Sequence, residues 1–261
     1  MSWVIKKPKE FLFTYPEKVL TSQQIKKLNI LISRRIKGEP IAYLRNKKEF
    51  YGLDFYVDKR VLIPRPETEL LVDEVLKMFR APSSEFRAIA DIGTGSGCII
   101  ITLAKNLSEI RHQKSDIRYY GVDISEAALA VAKKNAKKHK AKIKFYQGNL
   151  LEPLKDKNID IIITNLPYGW KQWNNNTSAE TSSLKFEPQN SLFTKEHGLY
   201  LYKRLFKQLA QKKQKPKLIF CEFDPRQRTD LQKIVKKYLP WAKVEIKKDL
   251  ARLNRILIAK L

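Results

Sequence analysis

At 261 residues the chain is long enough to bury one substantial core with a small accessory unit beside it. A hydrophobic fraction of 43% excludes wholesale disorder. The 52 Lys plus Arg against 27 Asp plus Glu leave a net charge of +25, a field that attracts polyanions and acidic partners without dictating a fold. A lysine-rich genome would produce the same excess, because Lys is spread through almost every segment. Cys98 and Cys221 lie in apolar runs and give neither a disulfide framework nor a metal pattern, so no metal is expected and a reducing cytoplasm fits. The start, MSWVIKKPKEFLF, has no signal-peptide pattern, and no apolar run approaches the roughly 20 residues of a membrane span. A soluble cytoplasmic protein is expected, with no membrane partner.

In chain order, residues 21–37 read as a helix with Ile25, Leu28, Ile32 and Ile36 on one face and Gly38 as its stop. Residues 49–63 read as a β-hairpin turning at Asp58 and Lys59, ended by Pro64 and Pro66, and a helix follows over 68–78. From Phe86 onward short apolar runs alternate with helical patterns. Strands are predicted at 88–92, 118–123, 142–147, 160–165, 217–223, 243–247 and 255–261, with helices at 125–139, 200–212 and 226–238. The last two strands follow one another directly, which suggests an antiparallel hairpin at one sheet edge. The expected fold class is α/β: a Rossmann-like, mostly parallel seven-stranded sheet with a C-terminal antiparallel hairpin. The expected division is 1–48 as a helical unit, 49–66 as a β-hairpin linker and 67–261 as the catalytic domain.

Four stretches carry chemistry. In AIADIGTGSGCIIITLA (88–104) a strand ends at Asp91 and a glycine-rich turn, Gly93, Thr94, Gly95 and Gly97, leads into a helix. Glycines are needed where backbone approaches a ligand, although a plain tight turn has the same look. The pattern is neither GxGxxG nor a P-loop; it resembles the first motif of class I methyltransferases. In YYGVDIS (119–125) Asp123, followed by Ile124, ends the next strand, where a carboxylate can accept from both ribose hydroxyls of a nucleoside and suits a cationic sulfonium cofactor. The alternative, that it simply begins the helix cap beside Ser125, is weaker because Ser125 already serves as cap. GNLLEP (148–153) places Asn149 and Leu150 against an adenine, or is simply a turn.

The fourth stretch is Asn165-Leu166-Pro167-Tyr168, at the end of the most apolar strand. A conjugated NH2 group is a poor nucleophile because its lone pair is delocalised. Two acceptors, the Asn165 side-chain oxygen and the Leu166 carbonyl, can orient its N–H groups and favour the positive charge it gains. Pro167 keeps residue 166 extended and Tyr168 offers a ring for stacking.

Together these residues resemble one family. The run FYGLDFYVDKRVLIPRPETELLVDEVL (50–76) is similar to the linker and entry helix of the release-factor glutamine methyltransferases, the PrmC/HemK family. DIGTGSG, GVDIS and an Asn-x-Pro-Tyr strand end follow in the family's order, then FEPQNSLF, HGLYLYKRL and the closing KDLARLNRILIAKL. The resemblance covers nearly everything from Thr14 onward. It implies a class I fold and methyl transfer from S-adenosyl-L-methionine to the glutamine of a Gly-Gly-Gln tip in a peptide-chain release factor. Gly93, Gly95 and Asp123 would hold cofactor, while Asn165, Leu166, Pro167 and Tyr168 hold the glutamine. Glu187 would support the site, and Arg65 and Glu67 would line its mouth. The N-terminal unit would be a shortened form of the family's substrate-gripping bundle.

Two departures stand out: Leu166 replaces the usual first proline, and Asn149 stands where an acidic residue is more usual. Asn-Leu-Pro-Tyr is familiar from rRNA adenine dimethyltransferases. The alternatives kept open are therefore an rRNA or DNA exocyclic-amine methyltransferase (adenine N6 or guanine N2) and a ribosomal-protein glutamine methyltransferase. A monomer is expected, with weak contact to RNA or the ribosome through the basic surface.

Overall fold

The structure, a computed structural model, describes residues 1–80, 86–110, 116–175, 177 and 179–261. Four helices open the chain: α1 (Ser2–Ile5), α2 (Lys9–Thr14), α3 (Ser22–Ile36) and α4 (Ile41–Arg45). Helix α3 begins with a reciprocal capping box: the Thr21 hydroxyl accepts from the Gln24 N–H and the Gln24 side chain accepts from the Thr21 N–H. The helix is rolled relative to the sequence expectation. Leu28, Leu31 and Arg35 are half-buried, whereas Ile25, Ile32 and Ile36 face solvent, Ile36 at 79% exposure. Its described neighbours, α1 and α4, are too short to cover more than one strip of it.

The hairpin also differs. Strands β1 (Lys48–Phe50) and β2 (Leu53–Phe55) pair around Tyr51 and Gly52, both at positive φ (52° and 72°), which is the geometry of a tight two-residue hairpin turn. Asp58 and Lys59 lie instead in a loop where the Asp58 carboxylate accepts from the Arg60 N–H at 3.0 Å. Residues 56–65 run on as a strap over α7 (Glu126–Lys138), held by Asn135, which bonds both backbone groups of Tyr56 (2.8 and 3.0 Å). A 3₁₀ turn (Pro66–Thr68) leads into α5 (Glu69–Arg80).

The main sheet has seven strands: β3 (Ala88–Ile92), β4 (Arg118–Asp123), β5 (Ile143–Gln147), β6 (Ile161–Thr164), β7 (Leu218–Glu222), β8 (Lys243–Lys248) and β9 (Asn254–Lys260). Their order is β5-β4-β3-β6-β7-β9-β8. The first five run parallel, and β9 pairs antiparallel with both β7 and β8, as the missing helical pattern between the last two strands implies. Strands β3, β6 and β7 are buried throughout because helices cover both faces, so their sequences are continuous apolar runs. Helices α5 and α6 (Cys98–Ile110) pack on one face; α9 (Tyr200–Gln211) and α10 (Arg228–Tyr238) pack on the other. One-turn α8 (Gln189–Leu192) ends the long connection after β6. Among the described residues no helix is long and apolar enough to cross a membrane. From β3 the chain passes to β4 on one side and later to β6 on the other, and that switch opens a crevice at the carboxyl ends of the strands.

Candidate active site

The crevice holds a cleft of about 320 Å³. Gly93, Gly95, Asp123, Ile124, Asn149 and Leu150 form one wall, and Asn165, Leu166 and Pro167 form the other. Gly93 and Gly95 take positive φ (77° and 53°), which lets the loop turn with its backbone facing the cleft. Asp123 organises the loop: its Oδ2 accepts from the Gly95 N–H and its Oδ1 from the Ser125 N–H, both at 2.9 Å. The separate reading of Ser125 as helix cap holds as well, since its hydroxyl accepts from the Ala128 N–H. Asn149, with its amide oriented to satisfy both groups, turns its oxygen to the Arg204 guanidinium (2.5 and 3.1 Å).

Three expected cofactor residues stand behind the wall. Asp91 is fully buried, with Oδ2 accepting from the Thr94 hydroxyl at 2.7 Å and Oδ1 without a hydrogen-bond partner among the described residues. Gly97 is a packing glycine, since a Cβ there would meet Ile101 Cδ1 at 2.9 Å. Burial pushes the Asp91 carboxyl up to about 7, against the bond from Thr94 and with the Asp123 charge adding to the rise. Asp123 is raised too, again chiefly by burial.

The second wall continues into a narrow slot lined by Leu62, Arg65, Asn165, Pro167, Tyr168 and Trp173. Asn165 donates its Nδ2 to the Thr68 hydroxyl at 3.1 Å, which leaves Oδ1 on the other side of the amide. Among the described residues none donates to Asn165 Oδ1 or to the Leu166 carbonyl. Tyr168 is clamped at both ends. Its hydroxyl donates to Glu222 Oε1 (3.2 Å) and its carbonyl accepts from Gln227 Nε2 (2.8 Å). Burial, reinforced by the Glu222 charge, raises the Tyr168 hydroxyl pKa well above its ordinary value, so it stays protonated and is no base. Trp173 packs edge-on to Tyr168, its Nε1 fixed by Asp224 at 2.8 Å.

Leu166 contributes more than a carbonyl. Its side chain is buried in the core, and its Cδ2 lies 3.2 Å from where a Cβ on Gly93 would be. Arg65 and Glu187 form a buried ion pair at 2.6 Å, and the other Glu187 oxygen accepts from the Ile63 N–H at 2.9 Å. With both oxygens engaged, Glu187 ties the strap to the connection before α8, while Arg65 reaches the slot. Glu67 is half-buried, and its charge raises the Glu222 pKa. Sequence reasoning missed Thr68, Glu222, Trp173 and Gln227. Thr68 alone carried a signal, as part of the IPRPETE run.

A glycine loop with its carboxylate, an adjoining concave wall and a slot with two open acceptors fit a nucleoside cofactor bearing a positive charge. The upward shifts of Asp91 and Asp123 favour that charge, because a neighbouring cation stabilises both ionised carboxylates. Fold and site together define a class I S-adenosylmethionine-dependent methyltransferase. Residues 84–254 match the methyltransferase domain model and residues 1–45 match the PrmC N-terminal domain model. The chain is 34% identical over 246 residues to the release factor glutamine methyltransferase of Bacillus cereus, spanning 93% of this chain and 83% of that one. It is 38% identical over 200 residues to that of Koribacter versatilis, spanning 76% and 68%. The chain belongs to the release factor glutamine methyltransferase family. Among solved structures, the hMettl16 catalytic domain in complex with an RNA hairpin superposes with a TM-score of 0.60 at 16% identity, covering 81% of this chain and 76% of that one. The ribosomal protein L11 methylase of Lactobacillus delbrueckii subsp. bulgaricus gives 0.51 at 17% identity, covering 78% and 83%. Both are likenesses of fold.

Asp123→Ala is expected to weaken S-adenosylmethionine binding by about 1–3 kcal/mol, the scale of hydrogen bonds to a charged group. Calorimetry returning an unchanged affinity would remove Asp123 from the site. Gly198→Ala tests the clamp on Tyr168. Gly198 sits at φ 82° and a Cβ there would lie 1.9 Å from the Tyr168 carbonyl oxygen. The variant should lose at least about 2 kcal/mol of stability, read as a lowered melting temperature. A melting temperature equal to that of the parent would show that the turn relaxes freely.

Proposed function

We propose that this chain transfers methyl from S-adenosylmethionine to the side-chain nitrogen of glutamine in the Gly-Gly-Gln tip of a peptide-chain release factor. The observation that carries the reading is the pair of open acceptors, Asn165 Oδ1 and the Leu166 carbonyl, beside the Tyr168 ring. Membership of the family supports glutamine as the bearer of the NH2 group. When bound, the cofactor supplies a methyl on a sulfonium sulfur, whose leaving group is a neutral thioether. The protein's own work is orientation. Asn165 Oδ1 and the Leu166 carbonyl each accept one N–H of the carboxamide, which turns the nitrogen lone pair toward the methyl. As the N–C bond forms and the S–C bond breaks, the nitrogen gains positive charge that both acceptors stabilise. The product cation is acidic and gives its proton to water, so no side-chain base is required. Tyr168 and Pro167 hold the flat amide against the slot wall.

The N-terminal unit supplies the grip on the protein substrate. Its exposed Ile25, Ile32 and Ile36 form an apolar stripe framed by Lys26, Arg34 and Lys37. The basic exterior adds weak, salt-dependent contact with RNA or the ribosome. The enzyme acts as a monomer in the cytoplasm.

Asn165→Ala should lower turnover on release factor by on the order of 10²-fold or more, while cofactor affinity changes little. Tritiated methyl transfer to purified release factor and to rRNA, measured side by side and followed by peptide mapping, checks the turnover and the substrate, and calorimetry checks the cofactor affinity. Transfer to RNA with none to release factor would overturn the glutamine reading. Replacing Ile25, Ile32 and Ile36 together with Ser should raise KM for intact release factor severalfold but leave methylation of a short Gly-Gly-Gln peptide unchanged, since only the intact protein reaches α3. Equal effects on both substrates would count against the grip.

A further inference from the structure

We propose that Trp173 is the specificity-determining residue of the slot and Asp224 the positioning residue that holds it there, so that a carboxamide enters and an aminopurine is shut out. The inference rests on the reading of Asn165 and Leu166 as acceptors for a glutamine NH2. Glutamine and adenine both carry a conjugated NH2, and two acceptors beside a tyrosine ring suit either one. Something other than the acceptors must therefore choose between them.

Room is the difference. The cofactor cleft offers about 320 Å³, the size of a ligand site, whereas the slot beyond it offers about 20 Å³. That is space for one small group. A glutamine brings its NH2 on a single flat carbon at the end of a flexible chain. An adenine brings the same NH2 on two fused rings, which need the space beside Tyr168 that Trp173 fills. The Trp173 ring stands edge-on to Tyr168 at 6.2 Å between centroids and edge-on to Phe193 at 5.9 Å.

A single turn grips both aromatic walls. The 3₁₀ turn Pro225–Gln227, between β7 and α10, is closed by a capping box. In it Asp224 Oδ1 accepts from the Arg226 N–H and Gln227 Oε1 accepts from the Asp224 N–H, both at 3.1 Å. From this turn Gln227 Nε2 donates to the Tyr168 carbonyl, and Asp224 Oδ2 accepts from Trp173 Nε1, both at 2.8 Å. Asp224 is fully buried, and its oxygens also take the Arg226 guanidinium, Nε on Oδ1 and Nη2 on Oδ2, at 2.7 Å each. Arg226 in turn donates to the Asn174 carbonyl at 2.8 Å and lies over the Trp170 ring at 4.7 Å. The chain is thus tied on both sides of Trp173 as well as at its indole.

The test measures tritiated methyl transfer by the full chain to release factor and to a short single-stranded oligonucleotide containing adenine. The parent should label release factor and leave the oligonucleotide at background. Trp173→Ala should raise the ratio of adenine to glutamine labelling at least about tenfold, the scale on which a pocket discriminates by size. Trp173→Leu makes the same comparison with less disturbance of the surrounding core. Asp224→Asn keeps the cap with its oxygen and turns an NH2 toward the indole N–H, so it should raise the ratio as well. A readout independent of substrate is the indole N–H resonance of Trp173, assigned by its loss in Trp173→Leu, which should move in Asp224→Asn. A parental ratio in both Trp173 variants, or a parent that labels the oligonucleotide as readily as release factor, would overturn the proposal. An unmoved indole resonance in Asp224→Asn would remove Asp224 from it. If the parent labels neither substrate, the glutamine reading falls, and the gate then stands or falls on whether the Trp173 variants label the oligonucleotide.

Discussion

The site depends on how the chain satisfies its polar groups where it leaves β6. That strand is buried on every side chain, and buried backbone groups must find partners. After Thr164 the ladder ends, and side chains take over its work. The Thr164 hydroxyl bonds the Ile92 carbonyl at 2.7 Å, and Gln227 takes the Tyr168 carbonyl together with that of His197. The Gly169 N–H goes to the Leu192 carbonyl at 2.8 Å. What remains unclaimed along this segment is the acceptor pair at Asn165 and Leu166. The neighbouring groups are tied so firmly that two open acceptors can be held in place at modest cost in order.

Electrostatics set a second constraint. A chain with a net charge of +25 nevertheless gathers Asp91, Asp123, Glu187 and Glu222 around its crevice. Burial raises the Asp91 carboxyl from 3.8 to about 7 and Glu222 from 4.5 to about 6. A carboxyl raised in the folded state ionises first in the unfolded chain, so each takes stability away as pH rises from its ordinary value toward the folded one. Arg255 opposes the shift at Glu222, whereas Asp91 Oδ1 has no hydrogen-bond partner among the described residues. A cation beside the glycine loop would relieve Asp91, whereas Glu222 already has Arg255.

Much of this was legible in the sequence, and the reason is burial. Strands β3, β6 and β7 lie between helices, so their continuous apolar runs locate them to within a residue or so, and the chemistry-bearing turns follow directly. The hairpin was misread because Tyr51-Gly52 and Asp58-Lys59 both read as turns. The choice is made by packing, since only the earlier turn brings Phe50 and Phe55 together (6.2 Å between rings) in the core beside α5. The roll of α3 was hidden for a related reason: its periodicity announces an apolar face but not whether anything covers it. Thr68 and Asn165 are 97 positions apart in the chain, and no local pattern couples a 3₁₀ turn to a strand end so distant.

The contact between Leu166 and Gly93 has an evolutionary consequence. A proline at position 166 would lack the isobutyl group that fills the space above Gly93. Exchanging Leu166 alone would thin the wall shared by the two halves of the crevice. Substitutions in direct contact do not add. Residues 93 and 166 therefore form an epistatic pair, in which the effect of a change at one depends on the residue at the other.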